Sequence, residues 1–303
     1  MKYFYPLLPF LAGWGLLLAS DNLGTISLVN GVLQLVLFAF VVCLPTWRTG
    51  RMSYVDIGWP WGLTLIGVIT YLYSDGHSVR VMVISAVYAI IGARMGLGAL
   101  QLLKMGHLKE ELPRYKYQQR RWERDGKTNV PLAMQIEGIV QGLANASFLA
   151  IPAFVIGFNP SESISIFEII GLLIWLGAFA MESMADAQKL KFLRDMKKAG
   201  KRNQVCNVGL WKYSRHPNYF AEWMVWNALV IASIPSWIHM FEFEPLAIWG
   251  LLAVGILFAS RAMYVTLVYY TGAVPAEYYS VLKRPEYKAY QQTTNMFFPG
   301  PNK

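Results

Sequence analysis

Apolar residues run along this chain in eight blocks, roughly 3–20, 26–44, 54–74, 79–103, 131–157, 164–185, 219–240 and 246–270. Each is near the ~20 residues that a helix needs to cross a bilayer. Only helices or closed barrels satisfy their backbone in lipid, and these blocks are too continuously apolar for barrel strands. The pattern predicts an all-α, polytopic membrane helical bundle of about 7–8 transmembrane helices. The first block is the weakest and reads equally as an interfacial or partial helix. No repeat or linker divides the chain, so a single integral membrane domain over 1–303 is expected.

The polar intervals alternate in charge. The connection 45–53 carries Arg48 and Arg51, the connection 104–130 carries eight cations, and 186–218 carries nine. The intervals between them hold Asp21, Asp75, Glu162, Glu242 and Glu244, with Arg80 alone at an edge. An excess of Lys and Arg marks cytoplasmic loops. Both termini and all the long loops are therefore expected in the cytoplasm. Charged residues make up only 15% of the 303, against about a quarter in soluble domains. The net charge of +9 sits in the loops that face anionic lipid, which excludes a nucleic-acid partner and leaves membrane lipids as one. Cys43 lies in an apolar block and Cys206 in a basic loop, so no disulfide framework is expected.

Ionisable residues inside spans are costly and tend to be functional. Here they are Asp56, Arg94, Glu137, Glu182, Glu222 and Arg261, each towards the expected cytoplasmic half of its span. They could meet in a polar cavity open to the cytoplasm, or pair with one another to hold the bundle. Glu182 and Asp186 stand four residues apart, as do Asn218 and Glu222, and each pair therefore shares a helix face. Arg261 and Tyr269, eight apart, fall close to one face. Cations beside helix ends suit a phosphate-bearing ligand, whether a pyrophosphate cofactor or a phospholipid headgroup.

Several chemistries lack their residues. The four histidines, His77, His107, His216 and His239, form no metal-ligand cluster, so no metal is expected. There is no phosphate-binding G-x-x-x-x-G-K-[ST] loop and no G-x-S-x-G elbow. The glycines of GARMGLGAL, 92–100, sit inside a span, where helix packing explains them.

The run GLWKYSRHPNYFAEWMVW, 209–226, places a cation, a His-Pro turn and an Asn at the mouth of an apolar helix. It resembles the C-terminal signature of the steroid 5α-reductase-like membrane family, closest to that family's bacterial branch of unassigned function. MESMADAQKLKFLRD at 181–195, SRAMYVTLVYYTGAVPAEYY at 260–279 and KRPEYKAYQQTTNMFFPGP at 283–301 fit the same branch. The related isoprenylcysteine and phospholipid methyltransferases share a similar SRHPxY element. The A-D-x-Q run and the G-x-V-P…RP-x-Y…F-x-P tail are on the reductase side.

The resemblance implies a helical bundle holding NADPH in a cavity closed by cytoplasmic loops. The implied cofactor residues are Glu182, Asp186, Asn218, Glu222, Arg261 and Tyr269. Arg194 would reach the phosphates, and the Arg215-His216-Pro217 turn would shape the loop against the cofactor. The implied reaction is hydride transfer to the C=C of a lipophilic enone, sterol- or isoprenoid-like, whose carbonyl oxygen needs a donor as charge develops.

Members active on steroids use a Gln-Glu pair in an early span, where YVDIGWPWG offers only Asp56. Their tyrosine in the next span corresponds to Ile91, with Tyr88 three residues earlier. Arg94 fits the family arginine that follows, and Gln141, or Gln135, the family glutamine. Asp56 and Tyr88 are thus the candidate substrate-orienting groups. Asp56 could stay protonated by burial and donate to a carbonyl, or cap the third span. Two other classes remain open: a methyltransferase using S-adenosylmethionine on a lipid or prenylated thiol, and a non-enzymatic lipid- or sterol-binding protein.

Overall fold

The structure, a computed structural model, describes residues 2–301. Among these every regular element is helical. Seven helical stretches are long and apolar enough to cross a membrane: Gly24–Thr49, Val55–Tyr73, Ser78–Lys104, Val130–Phe158, Ile166–Lys198, Pro217–Glu242 and Leu246–Lys283. The chain is a polytopic α-helical integral membrane protein.

The expected first span is shorter than read. Tyr5–Leu18 forms one short apolar helix, α1 being its Leu8–Leu18 part. At 1.5 Å per residue it reaches about 21 Å, short of a hydrocarbon layer of about 30 Å. Two basic loops also proved partly helical. The span expected to end at 185 continues to Lys198, and α6, Pro113–Arg124, forms inside the connection 104–130. Buried Tyr115, Gln118 and Trp122 anchor one face of α6.

The residues fall into two compact units, Met1–Glu168 with Ala232–Ala259, and Ile169–Ile231 with Ser260–Lys303. In the first unit, α4 (Val55–Tyr73) and α5 (Ser78–Lys104) form an antiparallel hairpin. Glycines let the two backbones approach: a Cβ on Gly92 would lie 2.4 Å from Pro60 O and 2.5 Å from Thr64 N. The turn of the hairpin is tied down by Gly76 N–H donating to Gly157 O and His77 N–H to Asn159 O, both 2.9 Å. Beside it Arg80, read from the sequence as an isolated edge cation, is buried and paired with Glu168 at 2.6 Å.

The stretch Val130–Phe158 is the most enclosed span, with 83% of its apolar window buried. It is broken into α7 (Val130–Ala146) and α8 (Ile151–Phe158). Pro152 cannot donate to the preceding turn, and Ser147 leaves helical geometry at φ −118° and ψ −111°. Water cannot satisfy the freed carbonyls at this depth, so side chains do. Tyr88 Oη donates to Leu149 O at 2.6 Å, Ser147 Oγ to Leu143 O at 2.6 Å, and Asn30 Nδ2, from α2 (Gly24–Phe38), to Asn145 O at 3.1 Å. On α4, which runs unbroken past Pro60, Asn145 Nδ2 and Gln34 Nε2 donate to Trp59 O (3.1 Å) and Gly62 O (2.8 Å).

In the second unit, α9 (Ile166–Lys198) contributes its part beyond Glu168 and α10 (Pro217–His239) its part up to Ile231. From α11 (Leu246–Val265) comes the C-terminal end, which passes through a π-helical turn, Thr266–Tyr270, into α12 (Ala273–Lys283) and α13 (Tyr287–Thr293).

The hairpin packing yields a direct expectation. Gly92→Ala should cost about 1–3 kcal/mol, because the added methyl meets backbone that cannot swing away. Gly98→Ala on the same helix meets nothing within 4 Å and should be neutral or slightly stabilising. Thermal unfolding of the two variants in detergent separates them, and equal midpoints would refute the packing argument.

Candidate functional site

The four segments that carry the family resemblance fold onto one another in the second unit. The loop after α9 returns along it: Leu210 N–H donates to Gln188 Oε1 (2.8 Å) and Trp211 Nε1 to Ala185 O (2.9 Å). Gly209, at φ +54°, makes this possible, since a Cβ there would meet the Gln188 side chain at 2.4 Å. Lys189 Nζ stands over the Trp211 ring, 4.1 Å from its centroid. The chain tail is strapped to the next residues. Arg215 N–H donates to Asn295 O (2.8 Å), Gly300 N–H to Tyr213 O (3.0 Å) and Ser214 Oγ to Phe297 O (2.9 Å). Pro217 then opens α10, where its missing N–H is one the helix would not use.

Glu277 of α12 sits at the centre of this knot. The Arg215 guanidinium meets it with both prongs, Nε to Oε1 at 2.6 Å and Nη2 to Oε2 at 3.1 Å. Gln291 Nε2 donates to Oε2 at 2.6 Å, and His216 Nε2 lies 3.1 Å from Oε1. Arg215 Nη1 donates to the carbonyls of Gln291 and Thr294. Arg215, His216 and Glu277 are all buried. The Arg215-His216-Pro217 turn is thus fixed by Glu277, to which sequence reasoning gave no role. Burial holds the His216 imidazole below its ordinary 6.5, and the hydrogen bond to Glu277 pulls the other way without prevailing.

The expected cofactor residues stand around the knot in two groups. Asn218 Nδ2 donates to Asp186 Oδ1 at 3.1 Å and so joins α10 to α9. Glu182, buried, lies one turn before Asp186, and Glu222 one turn after Asn218. The Asn218 Oδ1 atom and the Trp223 Nε1 atom are buried without a hydrogen-bond partner. The second group is aromatic. The Arg261 guanidinium stands 5.9 Å from the Tyr264 ring, which meets Tyr269 at 6.1 Å and Trp223 at 5.7 Å. Phe297 and Phe298 of the tail close on the same rings. Arg261 and Tyr269 are exposed, and the π-helical turn between them shifts the register that their spacing implied. Arg194 lies on the helical extension of α9, exposed.

Asp56, Tyr88, Arg94 and Gln141 belong to the first unit. Asp56 accepts from Arg114 Nη2 and from Tyr115 Oη, each at 2.5 Å. It stands in the first turn of α4 without a side-chain capping bond of its own to that helix. Tyr115 had no part in the sequence reading, and burial drives its phenol well above 10. Tyr88 is wholly buried, its hydroxyl committed to Leu149 O. Asp56 and Tyr88 are not brought together. Tyr88 packs beside Gly67, eleven residues beyond Asp56 and about 16 Å along α4. Arg94 follows Gly92 by two residues on the α4-facing stretch of α5, and Gln141 Nε2 donates to the buried Glu137 at 2.9 Å.

A membrane helical bundle with a loop-and-tail knot over paired polar helix faces is the class that fold and site define. The chain belongs to the family described as "Protein of unknown function (DUF1295)", which matches residues 39–294. No curated protein and no solved structure matches the chain.

Two tests follow from the knot. Glu277→Ala should destabilise by about 3–5 kcal/mol, since it strands a buried guanidinium, while Arg215→Met combined with Glu277→Leu should lose far less than Glu277→Ala alone. Denaturant or thermal unfolding reads both, and a double variant worse than the single would refute the pairing. The second concerns pH. Because folded His216 resists a proton that the unfolded chain accepts, stability falls as pH drops through about 6.5 towards the lower folded value. His216→Gln should flatten that part of the unfolding-midpoint profile, and an unchanged slope would contradict it.

Proposed function

We propose that the protein is an NADPH-dependent membrane reductase that transfers hydride to the C=C of a lipophilic enone, sterol- or isoprenoid-like. The observation that carries this reading is the Asn218–Asp186 contact, which sets two polar helix faces side by side with the buried acceptor Asn218 Oδ1 unsatisfied. A buried polar atom without a partner is costly, and a ligand donor would relieve it.

The residues fit the cofactor. Asn218, Asp186, Glu182 and Glu222 offer acceptors to ribose hydroxyls and a carboxamide N–H. Arg194 and Arg261, exposed cations on α9 and α11, suit phosphates. Trp223, Tyr264 and Tyr269 give flat faces for a ring. When bound, the cofactor supplies the hydride. The Arg215–Glu277–His216 knot holds the loop and tail in place around these groups.

On the substrate side Asp56, already an acceptor for Arg114 and Tyr115, would act by positioning those two side chains rather than by donating itself. Tyr88 would act by holding the α7–α8 break, and Arg94 and Gln141 are the other substrate-side candidates of the first unit. The protein would lie in a bacterial inner membrane with both termini and the basic loops cytoplasmic, so that a water-borne cofactor meets a lipid-borne substrate.

Ligand-dependent thermal stability of the detergent-purified protein tests the reading, with NADPH, NADH, S-adenosylmethionine and S-adenosylhomocysteine at matched concentrations. A ligand at 100 times its dissociation constant stabilises by about 2.7 kcal/mol. NADPH should raise the unfolding midpoint, and Asn218→Ala and Glu222→Ala should fold yet lose that shift. A shift with S-adenosylhomocysteine alone would replace hydride transfer by methyl transfer. Undiminished NADPH binding in both variants would remove the site assignment.

A further inference from the structure

The break between α7 and α8 leaves a chemical imbalance. Asn30, Gln34 and Asn145 are wholly buried, and their amide nitrogens are committed to carbonyls of Asn145, Gly62 and Trp59. Gln34 Nε2 also donates to Asn30 Oδ1 at 3.2 Å. Two acceptors remain, Gln34 Oε1 and Asn145 Oδ1, each buried with no hydrogen-bond partner. The two side chains converge on Gly62, where a Cβ would lie 2.6 Å from Gln34 Oε1 and 2.1 Å from Asn145 Nδ2. Asn145 stands close to the midpoint of the Val130–Phe158 span, so the imbalance lies deep in the bilayer.

A ligand suited to this place must donate hydrogen bonds and carry no charge. Both open groups are neutral amide oxygens. The carboxylate on the same helix, Glu137, is eight residues away, about 12 Å. A cation there would lack a counter-charge in hydrocarbon, which is prohibitively costly. An O–H group meets the need, an alcohol donating to one of the two oxygens and a water to both, and discontinuous membrane helices place binding sites at this depth.

We propose that Gln34 and Asn145, gathered over Gly62 at the α7–α8 break, form an intramembrane site for a neutral O–H donor. The donor is either the hydroxyl of a lipophilic alcohol or a trapped water. The site lies within the first unit and stands apart from the nucleotide reading.

Two measurements on the full-length protein decide it. The first is thermal unfolding in detergent with farnesol and with its methyl ether, which has nearly the same shape and no O–H. The second is a high-resolution experimental map of the ligand-free protein. Farnesol is expected to raise the midpoint where the ether does not, with Gln34→Met weakening the effect by about tenfold or more. That outcome assigns a lipophilic alcohol. Ordered density between the two amide oxygens, without an alcohol-selective shift that depends on Gln34, assigns trapped water. Absence of both overturns the proposal. Where Gln34→Met does not fold, maps with and without farnesol decide the same question.

Discussion

A polar group inside a bilayer has no water to fall back on. Each carbonyl, amide or charge must find its partner in the protein or stay desolvated at a cost of several kcal/mol. Burial inside protein makes the same demand of the loop and tail outside the spans, and Glu277 shows it in the second unit. Arg215 carries a permanent charge into a buried position, and one carboxylate there takes both prongs of the guanidinium, the His216 imidazole and the Gln291 amide. The tail from 287 to 301, the loop before α10 and the start of α10 are held by contacts that pass through or beside this ion pair. Lost from either side, the pair would leave a stranded charge, which makes the arrangement a single cooperative piece rather than a sum of contacts.

The same constraint shapes the first unit through neutral groups. The chain leaves helical geometry between α7 and α8 at membrane depth, and the carbonyls of Asn145 and Leu149 are met there by Asn30 and Tyr88, while Gln34 and Asn145 donate to the α4 carbonyls of Gly62 and Trp59. Proline is tolerable there only because amide and phenol side chains stand ready on adjacent faces. Tyr88 is therefore best understood through the backbone it stabilises. Its hydroxyl is too occupied to be a free donor, but moving it would alter the break that sets the position of Asn145.

Hydropathy made the spans legible because burial in lipid demands one property over about 20 consecutive residues. Seven of the eight apolar blocks correspond to membrane-length helices. The eighth fell short because prolines at 6 and 9 and the polar residues from Ser20 to Asn22 confine it. Hydropathy was silent wherever the solvent changes to water. The continuation of α9 through its lysines and the whole of α6 carry helix-forming residues whose charge masked the pattern. The i,i+4 spacing of Glu182 with Asp186 and of Asn218 with Glu222 correctly described helix faces, since both helices run unbroken through those residues. The eight-residue spacing of Arg261 and Tyr269 did not, because a π-helical turn intervenes.

Glu277 and Tyr115 were illegible for a different reason. Each acts through a partner about sixty residues away in sequence, and nothing in AVPAEYY or PRYKYQ announces a partner at that distance. A signal for Glu277 did exist in part: Arg215 lies beside a His-Pro turn at the mouth of an apolar helix, and an arginine buried there demands an acid. The carboxylates in the resembling C-terminal segments are few, so asking which of them neutralises Arg215 would have narrowed the choice to a handful. Local spacing identifies helix faces, whereas the partner of a buried charge is found by asking which opposite charge the chain can bring to it.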